Sequence, residues 1–189
     1  YPDRAGSPHR PGDFFADTIR SVRALVDRSQ RPDLEIHWTE WNTLSAPSSA
    51  AVSWTHNPTV DSLFAASFIV RNCLALDDAC DTLAYWVASD VFEEGGLPHS
   101  PFSCTYGLMT IHGIPKAAFN AFALLRRMQG GRLTVTADSG LPEGCGLFAT
   151  AEGDVVRALA WNHQRIELQD QPAWKDILRI VNPVPGERG

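Results

Sequence analysis

Apolar residues recur at helical spacing in three stretches of the chain. In the first stretch the intervals are four, three and four residues, and the stripe consists of Phe15, Ile19, Val22 and Val26. The second stretch begins after Pro58-Thr59, where Thr59 is the predicted cap, and the third ends at Gly130-Gly131, a typical helix stop. The predicted helices cover about residues 14–28, 60–75 and 115–128.

Two short extended runs lie between these helices. By the two-residue period of a strand, one face of the first run would carry Leu34, Ile36, Trp38 and Glu40. The second run, "TLAYWVASDVF", starts at Thr82 and is aromatic and β-branched. These runs predict strands over about residues 33–41 and 82–90. Because helices and strands alternate, we expect part of a parallel α/β sheet.

The pattern changes near residue 131. Strand-like runs such as "RLTVTAD", "GLFAT" and "DVVRALAWN" follow one another between Gly and Pro turns, which predicts an all-β segment. Two parallel strands cannot close a sheet, so the preceding α/β part is predicted to be the end of a larger domain. Its strand-to-helix links, roughly residues 42–58 and 91–114, are long, as in enzymes whose sites lie at the carboxyl ends of parallel strands.

Composition excludes some classes of partner. The net charge is −6 and no basic stripe occurs, which argues against nucleic acid. No apolar run reaches the roughly 18 to 20 residues of a membrane span. The four cysteines lack C-x-x-C spacing and are read as reduced thiols. The chain begins with Tyr1-Pro2, so we expect upstream residues, and the compartment stays open between cytoplasm and secretion.

Glu40 is the chemically distinctive residue, because it follows Trp38 and precedes Trp41 at the end of a predicted strand. If Glu40 faces the interior of a barrel, its carboxylate could contact a sugar ring that stacks on the neighbouring indoles. Asn42 could then hydrogen-bond to hydroxyl groups of the sugar. Glycoside hydrolysis needs two such carboxyl groups. A solvated or arginine-paired glutamate is the alternative interpretation.

Other chemistries find no support in the motifs. The six histidines show no H-E-x-x-H or H-x-H spacing, and the chain has no G-x-S-x-G turn, P-loop or dinucleotide fingerprint. The predicted chemistry therefore uses carboxylates alone, with no metal site and no organic cofactor.

Three longer motifs, taken in order, resemble the carboxyl-terminal part of the catalytic barrel of glycoside hydrolase family 39, which comprises β-xylosidases and α-L-iduronidases. They read "PDLEIHWTEWN", "YWVASDVFEEGGLP" and "YGLMTIHGIPKAAFNAFALL". The spacing and the dipeptide Glu93-Glu94 are closer to the β-xylosidase branch. The resemblance implies that residues 1–130 are the C-terminal portion of a (β/α)8 TIM barrel, and that residues 131–189 belong to a β-sandwich segment.

The resemblance also implies residue roles. Glu40, in "TEWN", matches the nucleophile at the end of strand seven. Trp86 matches an aromatic residue of the sugar subsite, Glu94 a glutamate that binds sugar hydroxyls, and Tyr1 the tyrosine of a motif after strand six. The acid/base glutamate of the family lies on strand four, upstream of this sequence. One departure is the run from Ser103 to Leu108, which replaces the family's His-Gly-Gly-Phe-Gly-Leu.

The predicted function is a retaining β-xylosidase-like hydrolase of the kind used in xylan degradation. It would act on terminal β-linked sugars, such as xylo-oligosaccharides or aryl and alkyl xylosides. Two alternatives stay open: a non-catalytic carbohydrate-binding or interaction fragment with Trp38, Trp41 and Trp86 as platforms, and an inverting hydrolase of another barrel family. The apolar surface of the α/β part needs a cover, which could be the missing N-terminal barrel portion, the β segment, or a second copy in a homo-oligomer.

Overall fold

The computed structural model describes residues 14–43, 58–91 and 97–164. Its α/β part consists of α1 (Phe14–Asp27), β1 (His37–Trp41), α2 (Leu63–Ala75), β2 (Thr82–Tyr85) and α3 (Ala117–Arg127). The antiparallel part consists of β3 (Gly131–Leu133), β4 (Cys145–Glu152) and β5 (Val155–Asn162). The predicted order of helices and strands is confirmed, including the change to β structure at residue 131.

The boundaries differ from the predicted ones where local signals were weak. Strand β1 begins only at His37, because the preceding residues form a turn in which Leu34 is exposed. A 3-10 turn, Pro58–Asp61, precedes α2, so the helix starts later than expected. Its cap is Ser62 rather than Thr59, and the Ser62 hydroxyl accepts a hydrogen bond from the backbone N–H of Phe64 at 3.2 Å.

Strands β1 and β2 pair in parallel with one extra residue on β1. Trp38 lies opposite Leu83 and Trp41 opposite Tyr85, so three steps on one strand match two on the other. Both indoles contact the α1 residue Phe15, with ring centroids 5.9 Å apart for Trp38 and 5.1 Å for Trp41. This bulge therefore places both tryptophans on the side of the helices.

The bulge changes which face Glu40 shares. Thr39 and Glu40 lie between the two helix-facing tryptophans, and both are exposed. Glu40 directly precedes Trp41, and successive side chains on a strand point to opposite faces, so Glu40 lies on the face away from the helices. The prediction that Glu40 shares a face with Trp38 is wrong, because it assumed an unbroken two-residue period.

The main core lies between the parallel strands, α2 and α3. Its buried members are Trp41, Ala65, Ile69, Val70, Ala118 and Ala121. Leu159 and Trp161 of β5 pack against the same core, so the antiparallel sheet covers α2. Within the sheet, Gly146 admits the Trp161 ring so closely that a Cβ would lie 1.9 Å from a ring carbon. No helix in the described ranges is long and apolar enough to span a bilayer.

Truncation of Ile69, which is 0% exposed in α2, tests whether this core stabilises the fold. In the complete protein, Ile69→Ala is expected to lower the free energy of unfolding by about 2–5 kcal/mol, since buried contacts are lost and a cavity remains. Urea unfolding followed by circular dichroism measures the change. Leu63→Ala is the matched control on the same helix, where Leu63 is 81% exposed, and it should change stability by less than about 0.5 kcal/mol. Equal losses for the two variants would contradict this assignment of the core.

Candidate functional site

The candidate site is formed by the carboxyl ends of the two parallel strands. Glu40 is the penultimate residue of β1, and Trp86 directly follows β2 with 38% of its surface exposed. The backbone N–H of Trp86 donates to the carbonyl of Trp41 at 2.8 Å. The two strand ends thus lie side by side, with a carboxylate on one and an indole on the other.

Asn42 ties these strand ends to the following loop. Its Nδ2 donates to the carbonyl oxygens of Trp86 and Tyr106, the latter at 3.3 Å. Its Oδ1 accepts from the Thr43 N–H at 2.6 Å and from the Tyr85 hydroxyl at 3.3 Å. The Asn42 amide is therefore engaged within the protein, and binding a sugar hydroxyl, as predicted, would require giving up one of these bonds.

Tyr85 lies at the end of β2 as a partly buried phenol. Its ring contacts Trp41 edge-on with centroids 5.3 Å apart, and it contacts Phe122 of α3 at 5.6 Å. Burial is the largest cause that raises the pKa of the Tyr85 hydroxyl. Tyr85 thus stays neutral and serves as a hydrogen-bond donor that supports Asn42.

The loop between β2 and α3 folds back beside residues 86–90, which we call the extension of β2. The N–H of Leu108 donates to the Val87 carbonyl, and the N–H of Asp90 donates to the Met109 carbonyl, both at 2.8 Å. Gly107 approaches this extension so closely that a Cβ would lie 2.2 Å from the Asp90 nitrogen. The loop is therefore anchored by backbone bonds along the rim of the strand ends.

A buried ion cluster fixes the same loop from the other side. The Lys116 ammonium lies 2.6 Å from Asp61 Oδ1 and 2.7 Å from Asp90 Oδ1, and all three side chains are at most 5% exposed. Lys116 also donates to the Thr105 carbonyl at 2.8 Å. We call Lys116, Asp61 and Asp90 the lysine cluster.

The carboxylates of the lysine cluster also accept from the loop backbone. Asp61 Oδ2 accepts from the Cys104 N–H at 2.6 Å, and Asp90 Oδ1 accepts from the Gly107 N–H at 2.8 Å. Burial raises the pKa of Asp61, and the hydrogen bond and positive charge of Lys116 oppose that rise. Burial likewise raises the pKa of the Cys104 thiol, to about 11, which leaves it protonated at neutral pH.

Sequence reasoning did not identify the lysine cluster. Its members come from the turn before α2, the end of the β2 extension and the residue before α3. The one local signal was Lys116 at the start of a helix with an apolar stripe, and this signal does not indicate which residues the lysine would contact. Of the predicted site residues, the structure brings together Glu40, Asn42 and Trp86. Tyr1 and Glu94 lie outside the described residues, as does Glu93.

Two other features of the described residues bear on ligands. A surface cavity of about 710 Å³ lies between α2 and the antiparallel sheet, lined by residues that include Arg71, Phe148 and His163, but not by Glu40 or Trp86. The cavity does not include the strand ends, where Glu40 is exposed. Within the described ranges no group of three or more His, Cys, Asp or Glu side chains could hold a metal ion.

Comparison of the chain with known sequences gives consistent matches. The profile of glycosyl hydrolases family 39 matches residues 9–179. A β-xylosidase of Geobacillus stearothermophilus is 35% identical over 118 residues, which are 62% of this chain and 22% of that protein. A β-xylosidase of Caldicellulosiruptor saccharolyticus is 33% identical over 131 residues, 69% of this chain and 25% of that protein. The chain thus spans about a quarter of the length of these relatives.

Solved structures agree with the sequence matches. A monomeric β-xylosidase from Caulobacter crescentus superimposes with a TM-score of 0.70 at 27% identity, covering 89% of this chain and 32% of that one. The GH39 enzyme from Xanthomonas axonopodis pv. citri gives a TM-score of 0.68 at 26% identity, covering 88% and 30%. With the profile match over most of its length, the chain belongs to glycosyl hydrolase family 39.

Proposed function

We propose that this chain is the nucleophile-bearing part of a retaining β-xylosidase-like glycoside hydrolase. The observation that carries the proposal is the position of Glu40, exposed at the carboxyl end of a parallel strand, on the face opposite the helices, and next to the strand end that bears Trp86. In a closed barrel that face is the interior, and the carboxyl ends of the strands form the site. The family membership and the relatives named β-xylosidases support the same reaction.

The barrel would be completed by strands outside this chain. The structure describes two parallel strands, and each has one edge with no neighbouring strand among the described residues. Six further strands on a continuous polypeptide would close the ring as a (β/α)8 barrel and pair with the open edges of the two strands. The antiparallel strands β3 to β5 would belong to a β-sandwich domain, with the boundary near residue 130.

The chemistry follows from one carboxylate on each side of the glycosidic bond. A Glu40 carboxylate oxygen attacks the anomeric carbon, the bond from that carbon to the leaving oxygen breaks, and an upstream glutamic acid protonates the leaving oxygen. The same glutamate then takes a proton from water, the water oxygen bonds to the anomeric carbon, and the Glu40 carboxylate departs. The substrate class is a terminal β-linked xylose.

The remaining predicted residues fit the binding of that sugar. The exposed indole of Trp86 would offer an apolar platform to the C–H face of the pyranose ring. Tyr1 and Glu94, carried over from the family motifs, would bind sugar hydroxyls. Asn42 directly follows β1, and it would act mainly by holding the ends of β1 and β2 together, since its amide donates to the Trp86 carbonyl after β2. No metal or organic cofactor takes part in this scheme.

Removal of the Glu40 carboxylate tests the proposed nucleophile. In the complete protein, Glu40→Gln is expected to lower kcat on an aryl β-xyloside by about three orders of magnitude or more, because an amide cannot form the covalent intermediate. Release of the aryl alcohol, measured by absorbance, gives the rate. Glu35→Gln is the matched control, since Glu35 is an exposed glutamate at the other end of the same run and pairs with His37 at 2.9 Å. A fully active Glu40→Gln enzyme would refute the proposal.

The stereochemistry of the product tests the retaining mechanism separately. Two displacements at one carbon restore its configuration, so proton NMR at early times should show the β-anomer of xylose from a β-xyloside. Retention requires carboxyl groups about 5–5.5 Å apart, whereas inversion requires about 6.5–9.5 Å. Initial release of the α-anomer would identify an inverting enzyme, in which Glu40 could serve only as the base.

A further inference from the structure

The lysine cluster combines full burial with an unequal charge count. One ammonium faces two carboxylates, and the side-chain exposures of Lys116, Asp61 and Asp90 are 0%, 5% and 1%. Buried ion pairs contribute little net stability, and apolar replacements of similar volume are often neutral or stabilising. The cluster is therefore better explained by the geometry it enforces than by the stability it adds.

The geometry it enforces is that of residues 104–107. Lys116 holds the Thr105 carbonyl at 2.8 Å, and Asp90 holds the Gly107 N–H at 2.8 Å, so both neighbours of Tyr106 are fixed. Asp61 fixes the segment once more through the Cys104 N–H at 2.6 Å. Three charge-assisted hydrogen bonds thus clamp one short piece of backbone around Tyr106.

From Tyr106 the contacts continue to Glu40. The Tyr106 carbonyl accepts from the Asn42 amide at 3.3 Å, and Asn42 stands two residues after Glu40. Asn42 also bonds the Trp86 carbonyl, while the Trp86 N–H bonds the Trp41 carbonyl at 2.8 Å. The backbone on the C-terminal side of Glu40 is therefore connected to the Lys116 ammonium through two hydrogen bonds and the peptide bond that joins Thr105 to Tyr106.

We propose that Lys116, with Asp61 and Asp90, is a positioning group for the Glu40 carboxylate. This inference rests on the proposed function, because it assumes that Glu40 attacks the anomeric carbon. None of the three side chains needs to touch the sugar. They fix the loop that fixes Asn42, and so set the position from which Glu40 attacks. A misplacement of about 1 Å in a reacting group can cost about 10²-fold in rate.

The test uses a cycle of two variants in the complete protein. Lys116→Met keeps a long unbranched side chain and removes the ammonium, and it is expected to lower kcat on 2,4-dinitrophenyl β-xyloside about 10²-fold with KM nearly unchanged. The second variant, Glu40→Gly, removes the nucleophile, and sodium azide then supplies one: an azide nitrogen bonds to the anomeric carbon as dinitrophenolate leaves. If Lys116 acts by positioning Glu40, adding Lys116→Met to Glu40→Gly should change the azide-rescued rate by less than about 2-fold.

Two results would overturn the inference while leaving the proposed function intact. One is an equal loss of rate from Lys116→Met in both backgrounds, which would mean that the cluster acts on something other than Glu40. The other is unchanged kcat in the folded Lys116→Met enzyme. A Glu40→Gly enzyme that azide fails to rescue would instead refute the proposed function, and this inference with it.

Lys116→Met leaves two buried carboxylates facing each other and could fail to fold, so Asp61→Asn provides an alternative test of the cluster. Asp61→Asn keeps an oxygen that can accept from the Cys104 N–H and leaves one ammonium paired with one carboxylate. Asp61→Asn should lower kcat about 10-fold when Glu40 is present. Added to Glu40→Gly, it should leave the azide-rescued rate nearly unchanged. Asp33→Asn is the control, because it breaks an exposed ion pair with Arg31 at 2.9 Å and should leave kcat unchanged.

Discussion

The buried contact of the Lys116 ammonium with Asp61 and Asp90 is the interaction on which the arrangement of the strand ends depends. The turn before α2 and both ends of the connection between β2 and α3 meet at this one charge, which lies 2.6 and 2.7 Å from its two carboxylate partners. A hydrophobic contact could hold these segments together, but it has no direction. Hydrogen bonds from an ammonium to a carboxylate and to a carbonyl have both distance and angle, so the segments are held in one relative position.

The bulge in β1 performs a complementary task within the sheet. Trp38 and Trp41 are three residues apart, so a regular strand would place them on opposite faces. One of the two tryptophans would then leave the helix layer. The extra residue lets both indoles pack on Phe15 while Thr39 and Glu40 stay on the opposite face. The five residues of β1 thus pack two large rings against α1 and still expose a carboxylate on the other face, in keeping with the frequent occurrence of bulges beside active sites.

The sequence predicted the elements well because their signals are local. The three helices follow from apolar spacing, and α1 ends within one residue of its predicted boundary. The face of Glu40 was wrong because a bulge depends on pairing with β2, which a period along one strand does not contain. The lysine cluster was missed for a similar reason: Asp61 and Asp90 are 55 and 26 residues away from Lys116 along the chain. The placement of Glu40 and Trp86 at neighbouring strand ends was predictable, because it follows from motifs and from the order of the strands, and both can be read directly from the sequence.

The extra residue of β1 makes the faces of this strand compatible with two kinds of mutation. Exchange of the side chain at Thr39 alters an exposed position and leaves the pairing with β2 as it is. Deletion of Thr39 would remove the extra residue, and the two steps then left between the tryptophans would match the two steps from Leu83 to Tyr85. Regular alternation would keep both indoles on the helix side and Glu40 on the opposite face. At its present length, by contrast, the strand can place both indoles on the helix side only by means of a bulge.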